Sequence, residues 1–443
     1  MMETSMAGRV AGNIDMASPQ DPAPNPTVSN QRAAWSAVFA LSLCVFVLIA
    51  SEFLPVSLLT PIATDLGITE GEAGRGISVS GIFAVSTSLL IARVTRGIDR
   101  KLVLLCMTSL MLLSGLIVGL APNYTLLMIG RALLGVTIGG FYSMSTATVM
   151  RLVPVGSVPK AIAIVSAGSA LAATVAAPVG SYLGAVIGWR GAFACIVPLA
   201  ALTLCWQSLC LPSMHSDPSA GSGNVFRLLR KAEVALGMAA ILFLFMGQFA
   251  LFTYLRPFLE RVTRGDVGTL SILLLVMGVT GLIGTMLIGS ILQRSVRHVL
   301  VVIPVLMSGI AVALTRADGS LAAVALLLAA WGLLGTPAPV GWGTWLARTL
   351  PDDAEAGGGL MVATIQFAIT LGAGVGGVVL DSHGSGVTFA LSSGVLAIAA
   401  LLAFLAGAVS KSRSPSAIML EKVTDEQYDG KVVSIGSSLQ QDR

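Results

Sequence analysis

Two ionisable side chains, Glu52 and Arg131, lie inside long apolar runs of this sequence. A charge inside an apolar membrane helix costs about 2.5–3.5 kcal/mol on insertion scales, so such residues are candidates for function. Glu52 precedes Thr60 by eight residues and Arg131 follows Asn123 by eight, each counted from one predicted face. At about 1.5 Å per residue, both lie roughly 12 Å below that face. We expect the two side chains to meet, and Glu52 to bind and release a proton.

A purely structural interpretation stays open for both residues. A buried ion pair contributes little to stability when desolvation offsets its Coulomb attraction. The guanidinium of Arg131 could instead be satisfied by backbone carbonyls, in which case it does not have to meet the acid at all.

The composition is that of a chain embedded in a lipid bilayer. Of the 443 residues, 55% are hydrophobic and 11% are charged, whereas soluble domains carry about 25% charged residues. The net charge of +4, without a long basic run, gives no sign of a nucleic-acid partner. The five cysteines lack metal-ligand spacing, and no nucleotide-binding or nucleophile motif occurs. We therefore expect no metal, no cofactor and no enzymatic activity.

The apolar runs predict an all-α membrane protein with twelve spans, since about 20 apolar residues cross a bilayer as a helix. They lie near 34–60, 76–95, 102–120, 124–150, 160–187, 190–211, 232–256, 267–292, 299–316, 321–347, 357–380 and 387–409. The polar stretch between the sixth and seventh runs, rich in Pro, Ser and Gly, is typical of a linker. The predicted organisation is a disordered tail, a six-helix bundle, a linker, a second six-helix bundle and a tail, at 1–32, 33–211, 212–231, 232–410 and 411–443.

Basic residues give the orientation of the chain in the membrane. Arg and Lys are more frequent in the loops on the linker side, such as Lys101 and Arg151, than in the opposite loops. Positive loops face the cytoplasm, so we expect both termini and the linker there. Asp381, at the other end of the eleventh span, is interpreted as a solvated helix end.

The two halves resemble each other at a nearly constant spacing. Pro61 and Pro257 are 196 residues apart, and "RALLG" from Arg131 matches "WGLLG" from Trp331 at a spacing of 200. Parallel six-helix repeats are an architecture of secondary transporters, whose site lies between the halves near the bilayer midplane. The repeat therefore predicts a central site.

The repeat also names candidate residues of that site in the second half. "EF" at 52–53 corresponds to "QF" at 248–249, so Gln248 takes the place of Glu52 and Phe249 follows it. Trp331 takes the place of Arg131. Eleven residues make about three helical turns, so Tyr142 and Trp342 should share the faces of Arg131 and Trp331, unless Pro337 and Pro339 shift the face of Trp342. Alternatively, the two tryptophans only pack helices or lie in interfacial belts.

Several stretches resemble a known family. "SEFLPVSLLTPIATDLGITEGEAG", "IGRALLGVTIGG" and "AAPVGSYLG" are similar to motifs of the twelve-helix drug:proton antiporter branch of the major facilitator superfamily. Within that branch, "EFLPVSLLTP", "MRLVP", "GQFALFTYLRP" and "PVGWGTW" most resemble the bacterial purine ribonucleoside efflux pumps. In "AAPVGSYLG", Pro178 and Gly180 hold the positions of the fifth-helix antiporter motif.

The loop after the second span departs from the family pattern. "ARVTRGIDRK" has Arg96 where the family has an acid, with Asp99 and Arg100 following close by. The resemblance implies a gating role for this loop. The displaced acid leaves open whether that role survives.

The resemblance implies a proton-coupled antiporter, working by alternating access as a monomer in the bacterial inner membrane. Its expected partners are protons and a small solute, a purine ribonucleoside such as inosine or guanosine, or an analogue. The neutral, planar shape of that solute suits an aromatic and amide wall. The alternatives are a sugar or multidrug exporter of the same fold, and a membrane sensor that signals through its tails.

Overall fold

The computed structural model describes residues 34–95, 97–214, 225–317, 319–350 and 353–438. This part of the chain is all-α, without a β-strand. The predicted first tail and Arg96 lie outside it, as does residue range 215–224 of the linker. The helices are α1 Trp35–Leu66, α2 Glu70–Val94, α3 Arg100–Gly119, α4 Tyr124–Leu152, α5 Val158–Ala194, α6 Ile196–Cys210, α7 Ala232–Phe252, α8 Leu255–Val262, α9 Val267–Arg294, α10 Val296–Leu314, α11 Leu321–Gly335, α12 Ala338–Thr349 and α13 Ala354–Ser438.

Ten stretches of the described chain are long and apolar enough to cross a membrane. Two of them, Val158–Cys210 and Ala356–Val409, are 53 and 54 residues long, more than twice what one crossing needs. Each contains a glycine with positive φ, Gly188 at 76° and Gly384 at 80°. These two glycines are 196 residues apart, the spacing of the sequence repeat. If each of the two long stretches is counted as two crossings, the ten stretches of the described chain make twelve crossings, the predicted number.

Side-chain caps set the starts of several helices. Thr69 and Glu72 form a reciprocal capping box at the start of α2, and Asn123 caps α4 through the backbone N–H of Leu126. Such caps satisfy the first backbone donors of a helix, which otherwise have no partner. Helix α13 continues to Ser438, so the backbone of the C-terminal tail is helical up to that residue.

The buried apolar side chains form two large clusters. One draws mainly on α1–α6, and the other mainly on α7–α13. The clusters meet where α2 packs on α13 and where α5 packs on α9. At the second contact the backbone of Gly278 approaches Thr174 so closely that a Cβ on the glycine would lie 2.4 Å from the Thr174 carbonyl oxygen. Glycine at this position permits the close approach of the two halves.

Candidate functional site

A cavity of about 420 Å³ lies between the two clusters. Its size falls within the range of small-molecule sites, about 300–1,000 Å³. Both halves contribute to its wall, which is mostly apolar and aromatic with a few polar groups. The lining residues are Ile49, Glu52, Phe53, Tyr142, Ser166, Ser169, Ala170, Ala173, Phe245, Gln248, Phe249, Phe252, Met277, Gly278, Thr285, Trp331, Gly332, Gly335, Thr336, Pro339, Val340, Val362, Ile365, Gln366 and Ile369.

Glu52 is the one carboxylate on this wall, and it is 5% exposed. Its Oε1 accepts a hydrogen bond from Nε2 of Gln366 at 3.5 Å. The contact joins α1 of the first half to α13 of the second. Gln366 was not predicted, although a lone amide in the apolar run "MVATIQFAITLG" is the kind of signal that could have identified it.

Arg131 bonds to the backbone beside Glu52 and not to its carboxylate. Its Nη1 donates to the carbonyl of Ser51 at 2.8 Å, its Nε to that of Gly76 at 3.2 Å, and its Nη2 to the Glu52 carbonyl at 3.5 Å. The expected meeting of two side chains is therefore wrong, and satisfaction by backbone carbonyls is the arrangement found. Equal depth in the membrane brings Arg131 to the helix turn of Glu52, but it does not decide whether the guanidinium bonds to the backbone or to the side chain there.

Proline explains why a carbonyl is available there. A helical C=O normally accepts from the N–H four residues later, but the residue four after Ser51 is Pro55, which has no N–H. The Ser51 carbonyl is thus left without a donor inside an apolar helix. Arg131, 1% exposed, supplies that donor.

Aromatic rings from both halves form one side of the cavity. Phe53 of α1 lies 5.9 Å from Phe249 and 5.7 Å from Phe252 between ring centroids, and the latter two are 5.8 Å apart. Of these, only Phe249 was predicted. Gln248 and Trp331 also line the wall, as does Tyr142, which is hydrogen-bonded to Ser169. The Oε1 atoms of Gln248 and Gln366 are buried without a hydrogen-bond partner.

The predicted cavity position of Trp342 is wrong. Its side chain is 2% exposed and packs edge-on against Trp345 at 5.4 Å, within the core of the second half. The reason is the break between α11, which ends at Gly335, and α12, which starts at Ala338. The interruption at Thr336–Pro337 changes which face points inward, so Pro339 and Val340 line the cavity instead.

The predicted gating loop joins neighbouring segments of the first half. Asp99 caps α3 through the backbone N–H of Lys101 at 2.8 Å and also accepts from the N–H of Met214 at 2.9 Å. The backbone N–H of Arg100 donates to the Met214 carbonyl at 3.0 Å. The displaced acid thus ties the start of α3 to the segment that follows α6.

Pro178 and Gly180 lie in α5 where it packs on α1. Both are buried. A Cβ on Gly180 would lie 2.5 Å from the Ser57 hydroxyl and 2.6 Å from Leu54, so a larger residue here would have to displace these two side chains of α1. These two residues belong to helix packing within the first half, away from the cavity wall.

Asp381 joins α13 to α2 at the end of the molecule opposite the linker, which we call the far end. Its Oδ1 accepts from the backbone N–H of Gly71 at 2.9 Å and its Oδ2 from the Thr69 hydroxyl at 2.7 Å. The carboxylate therefore binds the N-terminal turn of α2 in the other half, where a negative charge is favoured. Asp381 is exposed near the helix break at Gly384, as expected of a solvated helix end, but its contact with α2 was not predicted. Deeper along the same pair of helices, the Ser78 hydroxyl donates to the carbonyl of Thr370 at 2.9 Å.

Membrane-length helices around one central cavity, with a single carboxylate in an otherwise uncharged wall, define a solute transporter of the bilayer. The chain belongs to the major facilitator superfamily, whose family profile matches residues 41–315. It is a transporter of this kind and not an enzyme.

Curated relatives match over nearly their whole length. The transcription regulatory protein OpdE of Pseudomonas aeruginosa is 54% identical over 390 residues, covering 87% of this chain and 96% of that protein. The purine ribonucleoside efflux pump NepI of Salmonella paratyphi B is 42% identical over 373 residues, covering 84% and 94%.

Solved structures share the fold at low sequence identity. A bacterial homologue of the lysosomal transporter Spinster, in an inward-facing and unoccupied conformation, matches with a TM-score of 0.68 at 16% identity, covering 85% of this chain and 98% of that one. The nucleoside transporter NupG matches with a TM-score of 0.68 at 14% identity, covering 84% and 98%.

Proposed function

We propose that this chain exports purine ribonucleosides, such as inosine and guanosine, or their analogues, in exchange for protons. The observation that carries the proposal is the cavity wall, where one carboxylate and two amides stand among aromatic rings from both halves. The 42% identical relatives named purine ribonucleoside efflux pumps support the same substrate class.

The wall suits a planar, hydrogen-bonding and uncharged solute. The rings of Phe53, Phe249 and Phe252, together with Trp331, offer faces and edges for an aromatic base. Gln248 and Gln366 each offer two donors and an acceptor. Their buried, unpaired Oε1 atoms would gain from a ligand N–H, because an unsatisfied buried acceptor costs about 1–3 kcal/mol.

Glu52 is the proposed proton carrier. It is the carboxylate of the cavity wall, and Arg131 holds the helix turn on which it stands. With one proton exchanged for a neutral nucleoside, each cycle moves one charge across the membrane. A potential of 100 mV then adds about 2.3 kcal/mol of driving force.

The proposed setting is the bacterial inner membrane, with a monomer whose termini and linker are cytoplasmic. The division into bundles at 33–211 and 232–410 is part of the same proposal. In that orientation the contacts of Asp381 with α2 lie at the outer end, and the proposal takes this conformation as the one that accepts substrate from the cytoplasm.

The test is exchange in proteoliposomes. Purified protein should move radiolabelled inosine against its gradient when protons are supplied from the opposite side, and collapse of the pH gradient should stop it. Competition then identifies the substrate class, since a nucleoside pump prefers guanosine to a sugar or a bulky lipophilic cation. Equal competition by the lipophilic cations would favour a multidrug exporter, and competition by the sugar alone would favour a sugar exporter.

A membrane sensor is the second candidate, because the relative at 54% identity is named a transcription regulatory protein. A sensor would signal through its tails, whereas a transporter needs only its helical core. Deleting 1–30 and 415–443 separates the two: inosine exchange should survive the deletion in a transporter, and only a sensor would lose its output with the tails.

A further inference from the structure

The contact between Glu52 and Gln366 joins the two halves at the wall of the cavity, at the place where the proposed proton exchange occurs. Gln366 is 6% exposed, and its Nε2 donates to the Glu52 carboxylate at 3.5 Å. The donor belongs to α13 and the acceptor to α1, so any conformation that separates the halves here must break this bond.

Gln366 is also part of the surface that closes the far end. The Thr370 hydroxyl donates to the Gln366 carbonyl at 2.9 Å, and a Cβ on Gly81 of α2 would lie 2.0 Å from that hydroxyl oxygen. The residue that touches the carboxylate thus lies one helical turn from the tightest packing of α2 on α13.

We propose that the Glu52–Gln366 contact holds the empty transporter in the far-end-closed conformation, and thereby prevents a return step without cargo. The proposal rests on the proposed function. A charged carboxylate accepts a stronger hydrogen bond than a neutral carboxyl group, so the contact is strongest when Glu52 carries no proton. A bound nucleoside would weaken it differently, by taking the hydrogen-bonding groups of the acid and the amide. Binding of either a proton or a nucleoside therefore allows the halves to separate at the far end. An antiporter must change conformation only when it carries one of the two, because otherwise protons leak.

The charge of Glu52 gives the sign of the pH dependence of the far-end-closed conformation. The charged group that acts on it is Arg131 of α4, which is bound to backbone carbonyls. Tyr142 of α4, Ser169 of α5, Gln248 of α7 and Gln366 of α13 share the cavity wall with it. The far-end-closed population of the empty protein should therefore rise as pH rises through the titration of Glu52, and fall as pH falls.

Gln366→Leu removes the hydrogen bond while keeping the side chain of similar size. In proteoliposomes without nucleoside, this variant should dissipate an imposed pH gradient about twofold to fivefold faster than the wild type, as expected for the loss of one long hydrogen bond. Adding Glu52→Gln should return the flux to background, which a merely structural defect would not do.

Gln207→Leu is the matched control. Gln207 is a fully buried glutamine that accepts from the Thr108 hydroxyl at 2.7 Å, but this contact lies within the first half. This variant should not raise the substrate-free proton flux. If Gln366→Leu is folded and leaks no more than the wild type, the inference is overturned, while inosine–proton exchange by the wild type keeps the proposed function intact. If the wild type shows no such exchange, the proposed function fails first.

A second measurement decides the matter if Gln366→Leu does not fold. Spin labels at Thr64→Cys and Gly386→Cys, both exposed at the far end, report closure in a chain whose native cysteines are replaced. The short-distance population should grow with rising pH in the otherwise wild-type chain and not respond to pH with Glu52→Gln. A response to pH that survives Glu52→Gln, or no response in either chain, overturns the proposal.

Discussion

The guanidinium of Arg131 donates to the carbonyl of Ser51 at 2.8 Å, and Pro55 is the reason that this carbonyl is free. The most buried cation of the first half therefore serves as a backbone donor that joins α4 to α1 and, through Gly76, to α2. The carboxylate of the neighbouring Glu52 is left to face the cavity. Joining the helices and facing the cavity are thus divided between two residues that the sequence presents as a simple pair.

Arg131→Lys should not behave as a conservative change. A single ammonium group cannot reproduce the three directed N–H groups of the guanidinium, so at least one buried carbonyl loses its donor. We expect the free energy of unfolding to fall by about 1–3 kcal/mol, and Arg131→Met to cost more. Thermal unfolding in detergent measures this. As a control, Arg190→Lys alters an ion pair with Asp65 that is half-exposed, and it should change the midpoint less. Equal midpoints for wild type and Arg131→Lys would contradict this role of Arg131.

Glu52→Gln should fold normally but lose transport driven by a pH gradient. An amide replaces the acid with nearly the same shape, and Gln248 shows that an amide fits the corresponding position of the repeat. Inosine accumulation driven by the proton gradient should fall to background, whereas exchange of inosine for inosine across the membrane should persist. Accumulation at the wild-type level in this variant would exclude Glu52 as the proton carrier.

Gly278→Ala should disfavour the far-end-closed conformation. A methyl group there would lie 2.4 Å from the Thr174 carbonyl oxygen across the interface between the halves, and overpacking of this kind costs about 1–3 kcal/mol. Gly289→Ala is the matched control, since Gly289 lies on the same helix with nothing within 4 Å of a Cβ. The alkylation rate of a cysteine placed at the far end should rise in the first variant alone. Equal rates in both variants would mean that α5 and α9 do not close on each other.

Asp381→Asn should also loosen the far end. The change removes the charge that α2 favours at its N-terminus and leaves one acceptor oxygen in place of two. We expect the closed population to fall about twofold to fivefold, as for one hydrogen bond. Distances between spin labels at the far end would show this. The control is Asp353→Asn, whose partner Lys231 lies 4.0 Å away and is itself exposed. A fall of the same size in both variants would argue against a specific role of Asp381.

The sequence predicted the candidate site where helical spacing and the repeat were enough, and failed where a helix break or a neighbouring helix decided. Glu52, Gln248, Phe249, Trp331 and Tyr142 all line the cavity, because helical spacing and the internal repeat both follow from local geometry. Trp342 does not, because a break of two residues changed the helix phase. Gln366 and Asp381 make their contacts with α1 and α2, more than 300 positions away along the chain. No local sequence pattern predicts such partners.

The sequence by itself determined the class of the molecule. The chain has too few charges to cover a water-facing surface, and its apolar runs have membrane length. Together with a repeat of about 196 residues, these features predict paired bundles of membrane-spanning helices. The first two features depend only on composition and on the thickness of a bilayer, and the repeat is found by comparing the chain with itself. The tertiary structure decided which atoms face each other: that Arg131 bonds to a carbonyl freed by proline, that Gln366 meets Glu52, and that Asp381 binds the start of α2. Hydrogen bonds between distant helices depend on helix phase and on separations of a few ångströms, and both are set only when the two halves pack together.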